Sequence, residues 1–199
     1  MNRRTMGAIS LVCAGLLAGC ASTTPPVSLV YSPSLGTGGG SGALFLKTAS
    51  STADPNNGSI RWVVGKVKNS DGEVTGDILS AFSPEDMVAD ALRQELLAAG
   101  YKVDCGPTMP SAVGKGIALA GIQIAVDEEA GIPKVDANGK VKVSMDIWKE
   151  GHVLKHVSYE SDASDFAVIN RDNLPREIIE QGLREVMRQA VSEIVAVLK

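Results

Sequence analysis

His152 and His156 are the only histidines of the chain and stand four residues apart. On a helix that spacing would let both rings reach one metal ion; in a strand they lie about 13 Å apart. Gly151 ahead of them and the β-branched residues around them favour strand, which dismantles a zinc site. Asp136-Ala137-Asn138-Gly139-Lys140 opens like a calcium loop. Lys140 occupies the third ligand position and Gly139 arrives too early, so this stretch is expected to be a turn. Two acidic pairs, Glu128-Glu129 and Asp162 with Asp165, have the type needed for acid–base work. No second carboxylate can be set opposite either, and acidic residues at strand ends are ordinarily solvated. Cys105 has no neighbouring His or basic residue to lower its pKa and is expected to be a passive, partly packed thiol. The glycine-rich run 36–42 lacks the Lys-Ser/Thr ending of a phosphate loop, and Ser41 stands where a dinucleotide fingerprint needs its third Gly. No catalytic constellation emerges, so no catalytic residue, cofactor or metal is expected.

The one position with specific chemistry is Cys20. Arg3 and Arg4 form a short basic region, residues 6–17 form an apolar run, and Leu17-Ala18-Gly19-Cys20 closes the segment. Twelve residues span about 18 Å as a helix, too short for a hydrocarbon core of about 30 Å, but the right length for a secretory signal. Leu17, Ala18, Gly19 and Cys20 resemble a lipobox, the pattern of bacterial lipoprotein precursors. That resemblance implies a diacylglycerol thioether on Cys20, cleavage after Gly19, and an acyl chain such as palmitate on the new amine. Ala21 rather than Asp after the cysteine implies the outer membrane, periplasmic face. With Cys13 lost and Cys20 lipidated, Cys105 is left alone and no intrachain disulfide can form.

Elements follow from patterning. Residues 20–42, rich in Ser, Thr, Pro and Gly, are expected to be a flexible tether, with 27–31 an apolar interruption able to dock as a short strand. Residues 43–199 read as a single domain. Strands are expected at 44–46, 60–67, 74–79, 101–105, 117–127, 140–148 and 153–159. Asn69-Ser70-Asp71-Gly72 and Asn138-Gly139 are turn signals. Ser83-Pro84-Glu85-Asp86 opens a helix carrying Val88, Ala91, Leu92, Glu95, Leu96 and Ala99 to a stop at Gly100. A second helix, 175–198, carries Ile179, Leu183, Val186, Ala190, Ile194 and Val197 on one stripe. The expected fold is α+β: a two-layer domain, a mostly antiparallel sheet with two amphipathic helices on one face.

The net charge of −4 and only 8 aromatic residues argue against nucleic acid as a partner. Removing residues 1–19 takes away Arg3 and Arg4 and raises the acidic excess from 4 to 6. Such a body gains nothing from an anionic membrane surface, so attachment falls to the lipid at Cys20.

The order of parts resembles the YajG-like family of bacterial lipoproteins: the lipobox, Val30-Tyr31-Ser32-Pro33, and a helix ending Leu96-Leu97-Ala98-Ala99-Gly100-Tyr101 that leads into a strand. More loosely it is similar to the auxiliary lipoproteins of ABC-type transport systems. The resemblance implies a non-enzymatic, membrane-anchored periplasmic protein that binds an envelope partner. The alternative it implies is a transport-complex subunit handling hydrophobic cargo. Cys20 is the only residue whose role it transfers.

Overall fold

A computed structural model of the chain describes residues 26–34, 36, 38–48, 61–169 and 171–199. Leu17, Ala18, Gly19, Cys20 and Ala21 lie outside the described residues. The elements run β1 (Ala43–Lys47), β2 (Trp62–Asn69), β3 (Val74–Ser80), α1 (Pro84–Ala99), β4 (Lys102–Gly106), β5 (Lys115–Ala130), β6 (Val135–Lys149), β7 (His152–Ala167), a 3-10 turn (Arg171–Asn173) and α2 (Leu174–Leu198).

The sheet is mixed, which corrects the expectation of a mostly antiparallel one. The hairpins β2–β3, β5–β6 and β6–β7 are antiparallel. The pairs β1–β4, β1–β5 and β2–β5 are parallel. Short turns dictate the hairpins, but they say nothing about strands brought together from distant parts of the chain. The two parallel partners of β5 share one of its edges. Phe45, Leu46 and Lys47 of β1 meet Gly116, Ile117 and Ala118, and residues 65–69 of β2 meet Val126 to Ala130. A register shift between Leu119 and Gly121 marks the gap between them.

The first helix forms where capping chemistry demands it. Ser83 Oγ accepts from the Asp86 amide at 3.0 Å, and Pro84 fills the first turn. At the other end Gly100 adopts φ 108°, and the Tyr101 amide returns to the Leu96 carbonyl at 3.1 Å. The α2 stripe of Ile179, Leu183, Val186, Ala190 and Ile194 is fully buried, packed on β5, β6 and β7 and against α1. Beneath it lie Val141, Val143, Met145 and Ile147. Alternation puts the residues between them on the opposite, open face.

Asn138-Gly139 is not a turn. Both residues belong to β6, opposite Asp127 and Val126. A side chain at Gly139 would come within 2.2 Å of Ile178 Cγ2, so this glycine makes room for α2 instead of bending the chain. The turn is at 131–134, where the Gly131 amide meets the Lys134 carbonyl at 3.0 Å.

Candidate functional site

Two regions stand out from the body: the seam where the N-terminal segment enters the core, and the far end of the long strands. At the seam, the Val27 amide donates to Leu79 O at 2.7 Å and the Ala81 amide to Val27 O at 3.0 Å, a parallel bridge to the end of β3. Val27, Leu29 and Tyr31 alternate into the core. The Tyr31 hydroxyl then donates to Glu95 Oε1 at 2.7 Å, and the Ser34 amide reaches the same oxygen at 2.9 Å. Glu95 is 1 % exposed, the most deeply buried Asp or Glu among the described residues. Burial, reinforced by the hydrogen bond and charge of Glu95, holds the Tyr31 hydroxyl well above the usual phenol range; the charge of Arg184 acts the other way. Further on, the Gly40 amide bonds Ala99 O and Gly42 O receives the Lys102 amide, both at 2.9 Å. The stretch expected to be tether is thus attached to the body at 27, 31, 34, 40 and 42.

At the far end, one row of paired residues crosses five strands: Val74, Lys68, Glu129, Asp136 and Phe166. Phe166 of this row is 59 % exposed, and beyond the row project Ile132 (101 %), Ile169 (79 %) and Val168 (53 %). Two cations flank them. Lys134 Nζ sits 5.5 Å from the Phe166 ring centre and 2.7 Å from Asp136, and Arg171 Nη2 donates to Pro133 O at 3.1 Å. Just inside, Glu128 Oε1 is buried with no hydrogen-bond partner. Burial first, then the charge of Asp172, pushes its carboxyl up.

The open face of the sheet is a ladder of cross-strand ion pairs. Lys66 meets Asp77 at 2.6 Å, Lys68 meets Asp127 at 3.0 Å, and Lys140 meets Glu160 at 2.7 Å. Lys140 also lies 3.5 Å from Asp162, which accounts for one of the acidic residues singled out above. Asp165 accepts from the Phe166 amide. Glu128 and Glu129, being consecutive in β5, point to opposite faces and cannot work together. His156 Nδ1 is 2.7 Å from Asp146, its cross-strand partner, while His152 opens β7 opposite Lys149. Both histidines are in strand, as their neighbours indicate. Among the described residues no three His, Cys, Asp or Glu side chains converge as metal ligands. Cys105 is exposed on β4, not partly packed.

A concavity of about 640 Å³ lies along the outer side of α2 between Ser34 and Ser161. Its charges satisfy one another. Glu180 takes both Arg176 and Arg184, and Glu185 takes Arg188, which with Gln189 pulls its carboxyl down to about 2. Elsewhere on α2, Glu193 accepts from the Tyr159 hydroxyl at 2.5 Å and pairs with Lys155, tying α2 to β7. The apolar stripe read from the sequence of α2 gives no sign of this role for Glu193. The signal for the seam was present in Glu95, a lone carboxylate on an apolar stripe that needed a partner.

No family model and no curated protein matches this sequence. Among solved structures it is similar to a minor lipoprotein from Acinetobacter baumannii, at 12% identity over 78% of this chain and 91% of that one, with TM-score 0.46. It is similar to a Xanthomonas campestris protein of family DUF330, at 15% identity over 85% and 92%, with TM-score 0.48. Rare lipoprotein B from Shewanella oneidensis is similar at 11% identity over 67% and 92%, with TM-score 0.35. At these values the likenesses assign no role to any residue here.

Proposed function

We propose that this chain is a lipid-anchored, non-enzymatic lipoprotein of the bacterial cell envelope whose body binds a protein partner. Cys20 carries the diacylglyceryl and acyl chains, residues 1–19 are removed, and Ala21 directs the product to the periplasmic face of the outer membrane. The observation that carries the reading is the seam. Val27 is already in the core seven residues after Cys20, so the anchor is joined to a body that begins almost at once. No helix of the described residues is long and apolar enough to cross a membrane; the lipid at Cys20 would supply the attachment. The paired charges of the open face and of the α2 concavity suit recognition of a polar protein surface better than proton transfer. A finer placement, as YajG-like, is supported by the lipobox together with the Gly100-Tyr101 junction, where α1 ends and β4 begins.

Metabolic labelling with a radioactive fatty acid tests the anchor. Label should enter the wild-type chain and not Cys20→Ser, which should also leave the membrane fraction; label in the variant would overturn the reading. Chemical crosslinking in intact cells tests the partner. One discrete heavier band is expected, weakened by Arg188→Glu; equal activity-independent recovery of monomer alone from both proteins would reject partner binding.

A further inference from the structure

The exposed apolar end of the body has an occupant that the chain's own geometry selects. Phe166, near the end of β7, and Ile132, Val168 and Ile169, past the last paired row, lie at one end of the sheet, outside the core. Exposed apolar residues scattered singly need no explanation, but four at one tip mark a contact surface. The bridge at Val27 is parallel to β3, so the chain arrives from the Val74 side, the same side as this tip. Val74 to Ser80 spans about 20 Å of strand. Seven residues from Cys20 to Val27 reach at most about 25 Å. A lipid on Cys20 therefore lies within reach of the level of Val74 and Phe166.

We propose that this tip rests in the interface of the bilayer that holds Cys20, with Ile132 and Ile169 inserted among the lipid headgroups and upper acyl chains. The proposal rests on the anchoring at Cys20 argued above. Lys134, its ammonium over the Phe166 ring, and Arg171, bonded to Pro133 O, stand at the rim, where long cationic side chains can snorkel to headgroup phosphates. The surrounding charges are mostly acidic: Asp136, Asp165, Asp172, Glu128 and Glu129. Contact is accordingly driven by apolar insertion and gains nothing from anionic lipid.

The test uses the full lipidated protein with Cys105→Ser, carrying an environment-sensitive fluorophore on Ile132→Cys or, at the opposite hairpin, on Val153→Cys. Each is reconstituted into phosphatidylcholine vesicles with and without brominated acyl chains. The Ile132 label should shift to the blue and lose about half its emission to bromine, the Val153 label should change little, and adding phosphatidylglycerol should not raise the effect. Ile169→Asp should reduce the quenching at position 132. Co-flotation with an unquenched Ile132 label would overturn the proposal and leave the anchor intact. Loss of co-flotation would overturn the anchor and this proposal with it. A blue shift without vesicles that grows with protein concentration would assign the tip to a second copy and also overturn it.

Discussion

The seam and the tip are opposites. At the seam a carboxylate and a phenol are shut inside an apolar core, each with a partner, and the amide of the exposed Ser34 closes over them. At the tip four large apolar side chains stand in the open and one carboxylate oxygen just beneath them has no partner. Burying polar groups is tolerated only when they are hydrogen-bonded, so the seam is a device of folding. Leaving apolar groups in water contributes nothing to folding, so the tip answers to something outside the fold. The contrast teaches where stability ends and contact begins.

The strongest way to break it is to remove the seam. A chain lacking residues 21–34 loses the burial of Val27, Leu29 and Tyr31, at roughly 1.5–3 kcal/mol each, against a total near 5–15 for a domain. Calorimetry should show a melting point lower by about 15 °C or more. Leu183→Ala probes the core they join: truncation of a buried Leu costs about 2–5 kcal/mol, so a drop of about 5–15 °C is expected. Glu180→Ala, on the outer side of the same helix, should change it little. Tyr31→Phe keeps the ring and removes one hydrogen bond to Glu95, an expected loss of about 1–2 kcal/mol by urea denaturation.

At the tip the signs reverse. The Glu128 carboxyl titrates above its ordinary value of 4.5 in the folded chain, so ionising it opposes folding. Stability from this group is greatest below the unfolded pKa and falls as pH rises through the folded one. Glu128→Gln should therefore melt higher than wild type at pH 7, by about 2 °C, with the gain vanishing near pH 4. A gain of equal size at both pH values would exclude ionisation as its cause. Ile132→Ser should be the smallest effect of all, within about 0.5 kcal/mol, because nothing in the fold rests on it.

Much of this body was legible in advance, and for local reasons. Ser83, Pro84 and Gly100 announce α1, the stripe of α2 is continuous, and alternation in 141–147 names the face that α2 covers. The parallel pairing of β1 and β2 along β5 was not legible, because it depends on partners with no turn between them. Gly139 misled because a glycine that makes room for Ile178 looks, in sequence, like a glycine that turns. At the candidate site, the apolar run 27–31 was legible as able to dock, but its flanks read as tether and the Tyr31–Glu95 pairing was not legible. Composition averages over a window, whereas three alternating apolar side chains are enough to dock it. The tip was invisible because exposure is a property of the assembled surface.

The wiring of β1 and β2 also sets the tempo of folding. Phe45 must find Gly116, Gly65 must find Val126, and Tyr31 must find Glu95, 64 residues away. Loop closures of that size come before any reward, and chains rich in them fold in milliseconds to seconds rather than microseconds. The 115–167 meander has short turns and can form on its own schedule, but the sheet stays open until residue 130 is available to receive β2. Were the chain to cross a membrane unfolded, as the anchoring proposed at Cys20 requires, this order of assembly would be an advantage. The half that leaves first is the half that cannot yet close.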